Sequence, residues 1–144
     1  MCDLTAEETI YLHRMMWYSM AKSIRKYKHV INVDGYKHLW ISAHFDKNVY
    51  CDCFLCEYSY NKAFEKPGRN ICAHCLLNWH NKDMREFYHC EKTQDKANWL
   101  KCTKCNDWRE QADIAQAIAG LPIKRLDEWI KEHCIRRTYR KEFL

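Results

Sequence analysis

Between residues 5 and 28 apolar side chains return every fourth position, at Leu12, Met16, Met20 and Ile24, with Trp17 on the adjoining face. That period is the mark of a helix with one buried side. Thr5-Ala-Glu-Glu8 stands in front of it as a capping box, the Thr hydroxyl meeting the amide three residues on while Glu8 reaches back. A second such stretch follows Asn106 and Asp107, either of which can cap a helix through Trp108, Ala112, Ala115, Ile118 and Ala119. Gly120 stands where a left-handed closing residue is expected, and Pro122 prevents continuation. A last helix is predicted from about Ile123 to Arg137, with Leu126, Ile130 and Cys134 in one stripe beside Ile123 and Trp129.

The pattern is less decisive between residues 30 and 50. Val30 to Val33 is a short β-branched run that stops at Asp34-Gly35, a turn signal. Tyr36, Leu39, Trp40 and Ile41 then suit a short helix or a strand equally well. His38 and His44 flank this piece and read as ordinary surface or core residues. Further on, Glu57 to Phe64 fits a short helix, and Lys66-Pro67-Gly68-Arg69-Asn70 a loop.

The middle of the chain is organised by another pattern. Eight of the ten cysteines fall between Cys51 and Cys105. Three pairs have two residues between the sulfurs: Cys53/Cys56, Cys72/Cys75 and Cys102/Cys105. Such a pair is half of a tetrahedral site, because a tight turn brings both thiolates onto one ion. Fifteen residues separate Cys56 from Cys72, inside the range that joins two zinc half-sites. Cys53, Cys56, Cys72 and Cys75 are therefore expected to hold one structural zinc. Leu76, Leu77 and Trp79 would form its apolar shell. Cys51, Cys90, Cys102 and Cys105, or His89 in place of Cys51, are the residues left for a second ion, at irregular spacing. Cys2 and Cys134 stand alone and read as plain thiols.

The alternatives to metal are disulfides or a redox pair. The N-terminus shows no basic start followed by an apolar run, as a secretory signal would. No stretch approaches a membrane span. A cytoplasmic location is the expectation, and there clustered thiols stay reduced and bind metal. Three neighbouring pairs also argue against a single redox motif.

Composition adds limits. The 144 residues suit a single domain, 1–144, with an N-terminal helix over about 5–28, a cysteine-rich core over 51–105 and C-terminal helices over about 107–137. The fold expected is α-rich (α+β, small), its helices packed around a four-cysteine zinc knuckle. Apolar residues make up 47% of the chain and aromatic ones 14%, so a core is affordable and long disorder is not expected. The net charge of +5 permits nucleic acid or an acidic protein as partner and requires neither. Lys22, Arg25, Lys26 and Lys28 crowd the end of the first helix, and Arg136, Arg137, Arg140 and Lys141 the tail. Favourable contact with the helix dipole and a solvated tail account for both clusters; phosphate binding is the competing reading.

Catalytic signatures are sparse. With three glycines there is no Gly-rich phosphate loop, and neither Gly-x-Ser-x-Gly nor His-Glu-x-x-His occurs. His89-Cys90-Glu91 followed by Cys102/Cys105 matches part of the zinc deaminase signature, but Lys101 occupies the position of its proline. A zinc held by four thiolates has no open position for substrate. Cys72-x-x-Cys75 with Trp79-His80-Asn81-Lys82 matches the end of a His-Asn-His nuclease, without the Gly-rich hairpin of that family. A non-enzymatic protein is expected, with a metal-dependent nuclease as the minor alternative.

As a set, Met16-Trp17, Cys53-Phe-Leu-Cys56-Glu-Tyr, Cys72-x-x-Cys75-Leu-Leu-x-Trp79, Cys90-Glu91 and Ile118-Ala-Gly-Leu-Pro122 resemble a group of small zinc-binding proteins of phages and mobile elements of Gram-positive bacteria. The resemblance spans roughly residues 10 to 125 and implies Cys53, Cys56, Cys72 and Cys75 as ligands; the Cys102/Cys105 pair departs from it. Proteins of that setting act by binding and blocking a host machine. Anti-CRISPR proteins, which stop RNA-guided DNA nucleases, are one such class. The implied function is an inhibitor that contacts a protein complex, such as a CRISPR effector nuclease, in the bacterial host. The alternative is a nucleic-acid-binding zinc module using Lys22, Arg25, Lys26, Lys28, Arg136, Arg137 and Arg140.

Overall fold

The computed structural model describes residues 4–45, 54–56, 58, 59, 75–77, 79, 90 and 95–123. Within them the chain is helical. Helix α1 runs Ala6–Tyr27, α2 Val33–His44, α3 Trp99–Lys104 and α4 Trp108–Ala119. Residues 54–56, 58 and 59 are helical as well. An isolated antiparallel bridge joins Leu77 to Ile123, and no β-strand occurs among the described residues. The expectation of an α-rich protein holds.

Helix α1 begins as its sequence dictates. The Thr5 hydroxyl accepts from the Glu8 amide at 3.1 Å, and the Thr5 amide donates to the Glu8 carboxylate at 3.4 Å, so two otherwise unpaired N–H groups are satisfied. Ile10, Met16, Trp17, Met20, Ala21 and Ile24 are buried, while Leu12 is half-buried. The helix closes on Lys28, at φ 55, whose amide donates to the Ile24 carbonyl at 2.8 Å. A left-handed cap on a side-chain-bearing residue costs about 1 kcal/mol relative to glycine.

Residues 30–41 resolve the ambiguity of the sequence. Asn32 is an N-cap: its side-chain oxygen accepts from the Gly35 amide at 2.8 Å. Asp34-Gly35 thus forms the first turn of α2 rather than a chain reversal. The cap supplies a partner for an N–H that a turn would have used, and Asp34 lies at the positive end of the helix dipole.

Among the described residues helices α1 and α4 make the most extensive helix–helix contact, and both bury small and branched residues there, including Ala112, Ala115, Ile118 and Ala119 of α4. Asp107 caps α4, accepting from the Arg109 amide at 3.2 Å. Gly120 closes α4 at φ −93, so the left-handed closing residue expected there is absent. The Leu121 amide instead turns back to the Ile118 carbonyl at 3.4 Å, and Pro122 holds the residue before it out of helical geometry. Ile123, expected to open the last helix, pairs with Leu77 in the bridge. The rest of that predicted helix lies outside the described residues.

The stop of α4 is fixed from α1. Buried His13 approaches the Ile118 carbonyl through Nε2 at 3.4 Å, and the Arg14 guanidinium donates to the Leu121 carbonyl at 2.9 Å. Both meet the negative end of the α4 dipole. A second polar tie is Gln111, which is 0% exposed. Its side-chain oxygen accepts from the Ile31 amide at 2.9 Å, and its amide donates to the carbonyls of Ile31 at 3.0 Å and Cys102 at 3.2 Å. One side chain thereby joins the α1–α2 connection, α3 and α4.

Candidate functional site

The two cysteine half-sites are represented by one member each. Cys56 and Cys75 are described, half-buried and not in disulfides; Cys53 and Cys72 lie outside the described residues. What the structure does give is the surroundings of each half-site. Phe54, between Cys53 and Cys56, is fully buried. Its ring meets Trp40 edge-on at 6.1 Å and 83°, and Phe45 at 5.8 Å and 89°. Such edge-to-face pairs fix orientation as well as burying area. Phe54 is thereby seated against the C-terminal end of α2. After Cys75, buried Leu76, Leu77 and Trp79 enter the core, and Leu77 bridges to Ile123 beyond α4. Phe54, Leu55, Leu76, Leu77 and Trp79 belong to one continuous apolar cluster with α1, α2 and α4, and Cys75 packs against it.

The third pair behaves differently. Cys102 is on α3, fully buried, and directs its thiol to the Gln111 carbonyl at 3.8 Å. Burial pushes this thiol up to about 12; neighbouring Cys105 acts in the same sense and Lys37 in the opposite one. Cys105 turns to the Asp107 carbonyl at 3.3 Å. The two sulfurs therefore have separate backbone acceptors. Cys90 is half-buried against the core. Among the described residues no group of three or more His, Cys, Asp and Glu side chains gathers as metal ligands would. Cys51 and His89, the other donors considered for a second ion, lie outside the described residues, as does His80 of the nuclease-like segment.

The basic cluster of α1 is divided rather than united. Arg25 turns to α4 and pairs with Asp113 at 2.9 Å, which together with Lys96 holds that carboxyl below its usual range. Lys28 is taken into the helix cap. Lys22 and Lys26 instead line an open groove between α1 and α2, about 580 Å³ in volume, with Ser19, Ser23, Tyr36, Trp40 and His44. Ser19, Lys22, Ser23 and Lys26 stand at i, i+3, i+4 and i+7 and so share one side of α1. Tyr36, Trp40 and His44 repeat every four residues on α2. Trp40 and His44 stack at 4.4 Å with their planes 14° apart, and the Ser23 and Tyr36 hydroxyls lie 3.4 Å from one another across the groove. His44 Nδ1 lies 3.0 Å from the Trp40 carbonyl. A carbonyl can only accept, so Nδ1 carries the hydrogen and the ring is oriented by its own helix. Arg136, Arg137 and Arg140 lie outside the described residues.

Sequence reasoning found Lys22 and Lys26 but not the groove, because their aromatic counterparts sit on a segment whose helix is declared only by Asn32. The four-residue spacing of Tyr36, Trp40 and His44 was the available signal. No protein-family model, no curated protein and no solved structure matches the chain. Among the described residues no helix is long and apolar enough to cross a membrane.

Proposed function

We propose that the chain is a non-enzymatic binding protein, a helical scaffold closed by one structural zinc on Cys53, Cys56, Cys72 and Cys75. It acts by contact with a protein complex of a bacterial host; the phage-type inhibitor reading makes an RNA-guided DNA nuclease the candidate target. The observation that supports this reading is the common core of the two half-sites. Phe54 and Leu55 from the first and Leu76, Leu77 and Trp79 from the second enter one apolar cluster. Two knuckles anchored in one core are the arrangement in which four thiolates can close around an ion, and such a shell serves folding rather than Lewis-acid chemistry.

The test is capture from host lysate on tagged, metal-loaded protein, with and without nuclease digestion. A single protein complex that survives digestion supports the reading and names the target, and a cleavage assay follows if that target is a nuclease. Recovery that disappears with the nucleic acid refutes it. A second reading, a nucleic-acid-binding zinc module, is favoured by the pairing of Lys22 and Lys26 with a stacked aromatic pair in one groove.

A further inference from the structure

The α1–α2 groove holds two kinds of group that serve different parts of one ligand. Lys22 and Lys26 lie one helical turn apart, about 6 Å along α1. Neither has a carboxylate partner among the described residues, whereas Arg25 on the same helix does. Opposite them stands the Trp40–His44 stack. Trp40 is 8% exposed and backed by Phe54, so it is a rigid support. His44 is exposed, with one ring face on Trp40 and the other turned away from it. Ser19, Ser23 and Tyr36 add hydroxyl groups that can donate or accept.

From this geometry, and resting on the nucleic-acid reading above, we propose that the groove binds single-stranded nucleic acid. Two successive phosphates lie on Lys22 and Lys26, and an unpaired base stacks on the outer face of His44. An acidic peptide would meet the lysines but leave the stacked rings unused. A duplex keeps its bases paired, so none is free to stack on the His44 ring. A cationic rail beside a planar stacking platform is the arrangement by which proteins hold unpaired strands without reading their sequence.

The test uses the full-length, metal-loaded protein and a fluorescein-labelled oligothymidylate, with binding read by anisotropy across a salt series. The variants are K22E/K26E, H44A and a tail variant, R136E/R137E/R140E. Circular dichroism melts establish that each is folded, and the conservative K22Q/K26Q pair replaces the charge reversal if that does not fold. The proposal expects binding that weakens steeply with salt. K22Q/K26Q should lower the slope of log K against log salt by about 1.4, two single-strand phosphate contacts. H44A should weaken binding about tenfold, and a duplex of the same length should compete poorly. The tail variant should weaken binding less than the groove variant does and leave the loss caused by H44A in place. Binding lost in the tail variant alone would overturn the groove as the site while leaving the nucleic-acid reading intact. No binding by the unmodified protein at low salt would overturn both. Equal affinity for duplex with no response to H44A would refute the stacking role. If K22E/K26E abolished capture of a nuclease-resistant protein complex but left oligonucleotide affinity unchanged, the groove would be a protein contact and the proposal would fall.

Discussion

His13 is buried at the junction of α1, α2 and α4, and its environment makes stability fall in mild acid. The Ile118 carbonyl accepts from Nε2, so the neutral ring carries its hydrogen there; among the described residues no hydrogen-bond partner reaches Nδ1. A proton added at Nδ1 would create a buried cation beside two others, Arg14 of the same helix and Lys37 of α2. Burial is the main cause that lowers His13 from 6.5 to about 3; the Ile118 contact works against it, and Arg14 and Lys37 reinforce it. The sign follows directly. Between those values the unfolded chain binds a proton that the folded chain refuses, so stability is whole above about 6.5 and declines as pH falls toward about 3. At about 1.4 kcal/mol per pH unit, the loss from this residue is about 2 kcal/mol by pH 5 and about 3 kcal/mol by pH 4. Acid would also protonate the cysteines proposed to bind zinc, so the effect is isolated by comparison with His13→Gln, which retains a donor for Ile118 but does not titrate. Urea unfolding at pH 7, 6 and 5, in excess zinc, gives the difference in stability between the two proteins. The unmodified protein should lose about 2 kcal/mol more than the variant from pH 7 to pH 5. Parallel curves, or an imidazole resonance of His13 that titrates near 6 in the folded protein, would refute the argument.

Three further outcomes are expected. Gln111→Leu should cost about 2–4 kcal/mol in urea unfolding, since it leaves the Ile31 amide and the carbonyls of Ile31 and Cys102 without their side-chain partner. A chelator that strips metal should unfold the protein cooperatively by circular dichroism. A four-cysteine site contributes on the order of 10 kcal/mol, comparable to the whole stability of a domain. Serine at Cys53 or Cys75 should then give insoluble protein, and serine at Cys2 almost no change; a folded, metal-free protein in chelator would refute the zinc assignment. Lys28→Gly should raise stability by about 0.5–1 kcal/mol, because φ 55 is a left-handed cap that glycine takes without strain; no gain in denaturation midpoint would mean that Lys28 makes a compensating contact.

What could be read from the chain depended on whether the signal was local. The capping box at Thr5 and Glu8 and the stripe Met16–Met20–Ile24 are settled within a few residues and are found as read, and of the two caps offered for α4, Asn106 and Asp107, the structure uses Asp107. Helix α2 was undecided because its start depends on which partner the Asn32 side chain takes, and Asp-Gly serves a turn as readily as a first helical turn. Gly120 misled for a related reason: glycine permits a left-handed cap but does not impose one, and Pro122 with the side chains of His13 and Arg14 sets the stop instead. Those two residues, like Gln111, read as surface-type positions in a periodicity argument. Their burial depends on backbone carbonyls about a hundred residues away for His13 and Arg14, which no local pattern reveals.

Trp40 connects the apolar core to the α1–α2 groove. One of its neighbours is Phe54, inside the first cysteine pair, and the other is His44, in the groove. The His44 platform can be no more rigid than Trp40, and Trp40 meets the buried Phe54 ring edge-on. A chain with a small core gains from a metal by having its knuckles fixed in space. On the zinc reading proposed above, a metal that fixes the first cysteine pair would also steady the stacking surface that faces Lys22 and Lys26. In this reading zinc orders the site where binding occurs without touching the ligand, which is why the cysteine pairs and the aromatic repeat of α2 belong to one functional unit.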